Sequence, residues 1–189
     1  MKVHSERLEL IAATAEMVRA EIHDRSELAR LLEAHVPADW PPPLNDEPSQ
    51  QWTLKYLLMN PDAPGFGYWY IALPDRTPEG KTLVGIIGFK GKPALDGTVE
   101  VGYSVMENRQ RRGYGSEATS AMIAWAFSHP EVSRVVAETY PHLRPSIRVM
   151  ERNGMTFLGN GSEEGVIRFG ISREEFEASR PAQPGETPR

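Results

Sequence analysis

Apolar residues recur along the chain with two periods, and the change between the periods predicts where helices and strands lie. The alternation of Leu8 and Leu10 with charged residues predicts an edge strand over residues 6–11. Helical spacing follows, and Thr14 and Ser26 are predicted to cap two helices. The inward faces of these helices are Ala15, Val18 and Ile22 in the first, and Leu28, Leu31 and Leu32 in the second.

A proline-rich stretch over residues 36–48 interrupts this pattern. Because proline fixes φ and has no N–H to donate, the stretch predicts a rigid loop rather than a helix or strand. Ser49 is then predicted to cap a third helix, which carries Trp52, Tyr56, Leu57 and Met59.

The remainder of the chain is rich in strands. Strands are predicted over residues 68–73, 83–89, 99–106, 134–139, 156–159 and 166–171, and helices over 115–127 and 145–153. In the third strand Val99, Val101, Tyr103 and Val105 share one face, and Glu100, Gly102 and Ser104 share the other. A capping box from Ser172 to Glu175 predicts a last turn of helix.

This order of elements predicts an α/β fold of the α+β kind, because helices cluster early and alternate with strands only later. The length fits one domain with a sizeable core, which we place over residues 1–178. Residues 179–189 contain three prolines and no bulky apolar side chain, so a disordered tail is predicted there.

Composition narrows the classes of function. The formal net charge is -5, which disfavours general nucleic-acid binding. The chain has no cysteine, so disulfides and thiolate catalysis are excluded, and its five histidines lack metal-ligand spacing, so no metal site is expected. No apolar run reaches the roughly 20 residues that span a membrane, and the N-terminus lacks a signal-peptide pattern. A cytoplasmic protein without a membrane partner is therefore expected.

The most informative motif is the segment from Gln110 to Ala118, in which Gly113 and Gly115 follow arginines 109, 111 and 112. Glycine permits close approach of a ligand to the backbone, and a helix N-terminus attracts anions. The segment therefore predicts a pocket for a phosphate-bearing ligand. A glycine-containing loop with solvated arginines is the alternative.

The same segment also matches the G-x-G-x-x-G/A pattern of dinucleotide-binding proteins, and Glu138 lies where a ribose-binding acid would be expected. Residues 107–112, however, separate the strand from Gly113, whereas the fingerprint glycines directly follow a strand. A nucleotide-binding oxidoreductase is therefore a disfavoured alternative.

Three segments together resemble a known family. Gln110-Arg111-Arg112-Gly113-Tyr114-Gly115 resembles the acyl-CoA motif of the GCN5-related N-acetyltransferases, residues 99–105 resemble the strand before it, and residues 145–155 resemble the later "S-x-x-V-x-E-x-x-G-F" helix. The ends of the chain, at residues 7–10 and 172–176, resemble the branch that acetylates ribosomal proteins and N-terminal amines.

The resemblance implies a mixed, mostly antiparallel twisted sheet that splays at its central strands and carries helices on both faces. It also implies that acetyl-CoA binds in the splay. The pantetheine would contact main chain near Ser104, Val105 and Met106. The pyrophosphate would contact the segment that follows Gln110, namely Arg111, Arg112, Gly113, Tyr114, Gly115 and Ser116.

Two positions depart from the family pattern. Leu143 stands where the family often has asparagine, which puts one pantetheine or acid-positioning contact in doubt. Met155 replaces the usual phenylalanine.

Amine acetylation needs a free-base amine, so a carboxylate base is expected. Glu100 is the predicted base, by analogy with family members that use a strand glutamate. Asp39, Asp46 or Glu47 is an alternative, and so is the absence of a dedicated base. Ser146, near the expected sulfur, is predicted to protonate the leaving thiolate, with Tyr103 and Tyr140 as weaker candidates. A plain helix cap is the alternative for Ser146.

The proline-rich loop with Trp40, together with Trp52, is predicted to line the acceptor side. A structural loop pinned by one buried tryptophan is the alternative. The expected activity is transfer of acetyl from acetyl-CoA to a primary amine of a peptide or small molecule. A CoA-sensing or interaction module is the rival, and homodimerisation is an expectation by analogy.

Overall fold

A computed structural model describes residues 1–75 and 80–179. Its strands are β1 (Lys2–His4), β2 (Glu9–Ala12), β3 (Tyr68–Pro74), β4 (Lys81–Phe89), β5 (Thr98–Val105), β6 (Arg134–Thr139), β7 (Thr156–Asn160) and β8 (Ile167–Ser172). Its helices are α1 (Ala15–His23), α2 (Arg25–Leu32), α3 (Glu47–Met59), α4 (Tyr114–Phe127), α5 (Arg144–Arg152) and α6 (Arg173–Ser179). This confirms the predicted α+β fold class.

The strands form one eight-stranded sheet in the order β1-β2-β3-β4-β5-β6-β8-β7. Every neighbouring pair is antiparallel except β5 and β6, which run parallel. The predicted mixed, mostly antiparallel sheet is therefore confirmed, and its one parallel step lies between the two strands where the splay was expected.

Two apolar cores hold helices on opposite faces of the sheet. On one face, α4 and α5 bury residues such as Met122, Ile123 and Met150 against Val99 and Val135. On the other face, the residues of α1 and α2 that pack against the first strands are Val18, Leu28 and Leu32. The loop that follows α2 packs on this second face through Trp40. Helix α4 lies on the opposite face.

Several predicted boundaries are wrong in instructive ways. Asp24, not Ser26, caps α2, because its carboxylate accepts from the N–H groups of Ser26 and Glu27. Asp46, not Ser49, caps α3 by accepting from Ser49 N–H. In both cases a carboxylate two or three positions earlier does the capping, so each helix starts sooner than predicted.

The chain ends also differ from prediction. The strand expected over residues 6–11 is β2 at Glu9–Ala12, and the short β1 before it was not predicted. Thr14 caps α1 as predicted, since its hydroxyl accepts from Met17 N–H. The capping box at Ser172 is also present, and α6 extends to Ser179. The predicted tail from residue 180 onward lies outside the described residues.

Candidate active site

The central strands part after Glu100. β5 pairs with β6 only from Thr98 to Glu100, whereas its pairing with β4 continues to Val105. Lys90 N–H donates to Glu100 O and Met106 N–H donates to Val84 O, so the even-numbered residues of β5 point their main chain towards β4. Because hydrogen-bonding direction alternates along a strand, the main chain of Tyr103 and Val105 faces the gap.

This alternation refines the predicted main-chain contacts. The main chain of Val105 faces the gap, so a contact of this residue with pantetheine stays a prediction. The N–H of Met106, in contrast, already donates to Val84 O, and its carbonyl accepts from Arg109 N–H. Ser104 shares the even-numbered direction of Met106. Tyr103 is therefore the second residue that offers main-chain groups to a ligand between β5 and β6.

The glycine-arginine segment lies at the N-terminus of α4. Gly113 occupies the N-cap position with φ 84°, and α4 begins there without a hydrogen bond from a capping side chain. The first N–H groups of an α-helix have no partner inside the helix. Arg111 and Arg112 are exposed beside them, and Arg111 itself has φ 61°. The combination of free N–H groups and two cations can bind an anion.

The Gln110 side chain and the bare backbone of Gly115 bring α4 and β5 close together at the gap. The amide of Gln110 donates to Val105 O over 3.1 Å, which ties the segment to the end of β5. A Cβ placed on Gly115 would lie only 3.3 Å from the Tyr103 ring. Gly115 therefore lets the first turn of α4 sit directly against the strand that borders the gap.

An ion pair that the sequence did not indicate supports this segment from the N-terminal part of the chain. Arg7 binds the carboxylate of Glu117 and also donates to Arg112 O, and Ser5 donates to the same carboxylate. Burial alone would raise the pKa of Glu117, but the hydrogen bonds from Ser5 and Arg7 outweigh it and lower the pKa. The partners lie more than 100 positions apart, so no local pattern could have identified them.

Tyr103 and Ser146 meet on the α4 side of β5. The phenol oxygen of Tyr103 lies 3.3 Å from Ser146 Oγ. Burial raises the pKa of Tyr103, and the contact with Ser146 offsets this only in part. The phenol therefore keeps its proton at neutral pH and, with Ser146, forms a pair of hydroxyls at the edge of the gap.

Ser146 is not a helix cap. Leu143 occupies the N-cap position of α5 and supplies no capping side chain, while Pro145 lies in the first turn. The alternative interpretation of Ser146 as a plain cap is therefore wrong, and its hydroxyl contacts Tyr103 instead. The other weak candidate, Tyr140, is 46% exposed and stacks on His142.

Glu100 lies on the opposite face of β5 from Tyr103, as the alternation of side chains predicted. Its carboxylate forms an ion pair with Lys90, and its side chain is 19% exposed. The structure thus separates a carboxylate on one side of the strand from the two hydroxyls on the other. With the carboxylate and the hydroxyls on opposite sides of β5, a base could act on one reacting group and an acid on another at the same gap.

Two of the three alternative carboxylates accept hydrogen bonds from other residues. Asp39 accepts from Asn108 Nδ2 over 3.0 Å. Asp46 caps α3, and hydrogen bonds from the Ser49 hydroxyl and N–H lower its pKa. Glu47 is exposed in the first turn of α3.

The proline-rich loop is pinned by one buried tryptophan. Trp40 is 5% exposed, and its indole N–H donates to Glu21 over 2.8 Å. This corrects the prediction that its ring lines an open wall, and the structural alternative describes it better. The loop itself reaches β5, because the hydroxyl of Ser104 donates to Pro43 O.

Trp52 behaves differently from Trp40. It is 54% exposed and stacks on Tyr56, with the ring centroids 5.6 Å apart. The stacked pair belongs to α3, which lies on the same side of the sheet as Glu100 and the proline-rich loop. Of the two tryptophans, only Trp52 presents its ring to solvent.

Residues 1–75 and 80–179 offer neither a membrane-spanning helix nor a cluster of metal ligands. No helix there is both long enough and apolar enough to cross a membrane. Across the same ranges, no three side chains of histidine, aspartate or glutamate come together in a way that could hold a metal ion.

Comparison with known proteins gives a family match over most of the chain. Residues 7–156 match the family model described as the acetyltransferase (GNAT) domain. An uncharacterized N-acetyltransferase of Bacillus subtilis (strain 168), YjdG, is 33% identical over 107 residues, which are 57% of this chain and 61% of that relative. The chain thus matches less than two thirds of the length of this curated relative.

Solved structures agree in fold over nearly the whole chain. An acetyltransferase from Agrobacterium tumefaciens str. C58 has a TM-score of 0.61 and 25% identity, and the match covers 92% of this chain and 95% of that one. RimL, a ribosomal L7/L12 alpha-N-protein acetyltransferase in complex with coenzyme A, has a TM-score of 0.64 and 19% identity, with 91% and 98% covered. At that identity the second likeness concerns the fold alone.

Proposed function

The chain belongs to the GNAT acetyltransferase family, and we propose that it transfers an acetyl group from acetyl-CoA to a primary amine in a ternary complex. The observation that carries this proposal is the gap between β5 and β6, with an uncapped helix N-terminus at its mouth. Together they offer main-chain groups for an extended ligand and N–H donors for an anionic one. A nucleotide-binding oxidoreductase receives no support from this family assignment.

The residues present fit acetyl-CoA, which supplies an activated thioester when it is bound. The N–H groups from Arg111 to Ser116 and the guanidinium groups of Arg111 and Arg112 would hold the pyrophosphate. The main chain of Tyr103 and Val105 would hold the pantetheine, with Val105 contributing its N–H because Gln110 occupies its carbonyl. Gly113 provides the positive φ at the start of α4, and Gly115 lets α4 lie against Tyr103, so these N–H groups come next to the gap.

Glu100 would accept the proton that the amine loses as its nitrogen bonds to the thioester carbon. Its carboxylate forms an ion pair with Lys90 and lies on the side of β5 opposite the two hydroxyls. An α-amino group, with a pKa of about 7.7–8.0, needs only weak assistance, whereas a lysine amine at about 10.4 needs more. This favours an α-amine as the acceptor, in a peptide or in a small molecule.

The Tyr103–Ser146 pair would protonate the thiolate that leaves as the carbon–sulfur bond breaks. Tyr103 keeps its proton because burial raises its pKa, and Ser146 lies within hydrogen-bond reach of it. We assign the donation to this pair, with Ser146 as the predicted donor and Tyr103 behind it. Holding amine and thioester together supplies much of the remaining acceleration in reactions of this kind.

Trp52 and the loop around Pro43 would border the acceptor, since both lie on the Glu100 side of the sheet. RimL carries in its name an action on the α-amine of a ribosomal protein, and the match to its fold makes a peptide N-terminus one acceptor to test. A single domain over residues 1–178, a cytoplasmic location and a homodimer stay predictions.

The proposal is tested by two measurements on the purified chain. Calorimetry should show binding of acetyl-CoA and CoA, and release of free thiol should follow when a panel of amines and peptides is added. Absence of binding at millimolar ligand would overturn the proposal. Binding without thiol release across the panel would instead favour the CoA-sensing module.

A further inference from the structure

Neither backbone conformation nor packing requires a glycine at position 102. Most glycines of the chain either adopt a positive φ, which side chains disfavour, or lie against a neighbour that a Cβ would contact. Among the glycines in the described ranges 1–75 and 80–179, Gly102 alone has neither feature, since its φ lies outside the positive region and a Cβ there would meet nothing within 4 Å. Its backbone conformation and its packing would both accept a side chain.

The neighbouring strand glycine shows the contrast. Gly88 pairs with Gly102 across β4 and β5, and a Cβ on Gly88 would lie 2.3 Å from the Tyr68 main chain. Packing therefore explains Gly88 completely. Glycine within a strand weakens it through chain entropy and missing contacts, unless a ligand or another backbone must come close. At Gly102 no other backbone comes close.

The position of Gly102 indicates which ligand uses this space. It lies between Glu100 and Ser104 on the exposed face of β5, away from Tyr103 and α4. The proposed pyrophosphate and pantetheine contacts belong to the α4 end and to the gap. The open space over Gly102 thus adjoins the proposed base on the side where the acceptor would enter.

We propose that the bare Cα of Gly102 is the contact surface for the carbon that bears the acceptor amine, so that this residue determines how large a substituent that carbon can carry. This inference rests on the proposed function and deepens it. An amine on a substituted carbon, as in an amino acid amide or a peptide N-terminus, needs room beside the nitrogen. A side chain at position 102 would occupy that room next to Glu100.

The test compares acceptors that differ only in the substituent beside the amine: glycinamide, alaninamide and valinamide. The wild-type chain should acetylate all three. Gly102→Ala should reduce kcat/KM for valinamide at least tenfold relative to glycinamide, and Gly102→Val should extend the loss to alaninamide. In Gly102→Ala the acetyl-CoA Kd should stay at the wild-type value and the unfolding midpoint should stay the same or rise, because the added Cβ meets no atom and alanine suits a strand better than glycine.

Gly165→Ala is the matched control, since Gly165 also faces open space but has a φ of 78°. It should lower stability without altering the order of the three acceptors. Equal losses for all three acceptors with weakened acetyl-CoA binding in Gly102→Ala would overturn the inference, because the donor would then occupy the space. Unchanged selectivity in both Gly102 variants would overturn it as well.

A binding experiment separates this inference from the proposed function. With CoA present, valinamide should shift the backbone amide resonance of Gly102 in an isotope-labelled sample, whether or not turnover occurs. A shift without thiol release would contradict the proposed activity and support the contact. Thiol release without a shift would support the activity and overturn the contact.

Discussion

Arg7 binds Glu117 through two nitrogens of its guanidinium, because Nε and Nη2 each lie 2.7 Å from Oε2 of the Glu117 carboxylate. The N–H of Arg7 donates to the other carboxylate oxygen over 2.7 Å, and Nη1 donates to Arg112 O over 3.1 Å. The Arg7 side chain also lies over the Tyr114 ring, 5.1 Å from its centroid. The segment before β2 thus fixes both the proposed anion-binding loop and the first turn of α4.

Arg7→Ala should therefore weaken acetyl-CoA binding about tenfold, because the loop would have to be ordered when the ligand binds; tenfold corresponds to about 1.4 kcal/mol. Calorimetry with acetyl-CoA measures the change. The acetyl-CoA affinity of Arg7→Lys should lie between those of the wild-type chain and Arg7→Ala, since lysine keeps the charge but cannot bind the carboxylate through two nitrogens. Wild-type affinity in Arg7→Ala would show that the loop is ordered by its own contacts.

Gly113→Val should abolish detectable acetyl-CoA binding. Its φ of 84° is unfavourable for a side chain, and a Cβ there would lie 3.1 Å from Arg7 Nη2. The matched variant is Gly165→Val, which carries a similar φ of 78° with open space around it. Both variants should lose about 1–2 kcal/mol of unfolding free energy, but only Gly113→Val should lose the ligand. Equal ligand affinities in the two variants would remove Gly113 from the proposed site.

Sequence patterns predicted the parts of this site that depend on local periodicity. The two faces of β5, with Tyr103 on one and Glu100 on the other, follow from the period of two, and the start of α4 follows from the glycines and the helical spacing behind them. Contacts between distant segments could not be read in this way. Arg7 and Glu117 are ordinary charged residues until the fold brings them together, and no local rule distinguishes a buried Trp40 from an exposed Trp52.

Helix caps show a second limit of sequence reasoning. Asp24 and Ser26 are both good capping residues two positions apart, and propensity alone does not choose between them. The structure chooses Asp24 because its carboxylate reaches two N–H groups. At α5 the limit is different: Leu143 caps by position without any capping group, so the sequence left a cap open as the alternative role of Ser146, three residues later.

Glu21 holds the proline-rich loop through Trp40 and Asn45, which gives a prediction about both stability and activity. Its carboxylate accepts hydrogen bonds from Trp40, Asn45, Tyr68 and Tyr70. Glu21→Ala should destabilise the fold by about 3 kcal/mol or more, because several buried donors lose their acceptor. It should also raise the KM for the acceptor more than the KM for acetyl-CoA, since the loop that reaches Ser104 would loosen. Glu27→Ala on the exposed side of α2 is the control.

The same carboxylate gives a pH dependence. Burial raises the pKa of Glu21, and its four hydrogen bonds only partly offset this. Between the unfolded value of about 4.3 and the raised folded value, the folded state holds a proton that the unfolded state has lost. The wild-type chain should therefore lose stability relative to Glu21→Gln as the pH rises through this window. Parallel thermal-unfolding curves for the two proteins across that range would contradict the assignment.

Glu100→Gln tests the proposed base. The isosteric amide keeps the shape of the side chain but cannot accept a proton, so kcat should fall by about 10² or more while the acetyl-CoA Kd stays unchanged. The Lys90 ion pair is lost as well, so Lys90→Met serves as the control for that loss. If Lys90→Met lowers kcat as much as Glu100→Gln does, the loss of the ion pair between the two residues explains the fall, and proton acceptance by Glu100 is not needed to explain it. Retained kcat in Glu100→Gln would exclude it as the base.

The Tyr103–Ser146 pair allows the proton donor to be assigned. If Ser146 donates to the thiolate and Tyr103 only supports it, Ser146→Ala should lower kcat more than Tyr103→Phe, because the phenol 3.3 Å away supports the serine but does not replace it. If Tyr103 donates directly, Tyr103→Phe should lower kcat more than Ser146→Ala. The decrease of kcat at high pH, which would follow from ionisation of Tyr103, should then be absent in Tyr103→Phe. Single-turnover kinetics across pH distinguish these outcomes, since burial raises the Tyr103 pKa and moves any limb that it causes above the usual value of about 10. Two variants with wild-type kcat would leave solvent as the donor and would remove both hydroxyls from the mechanism.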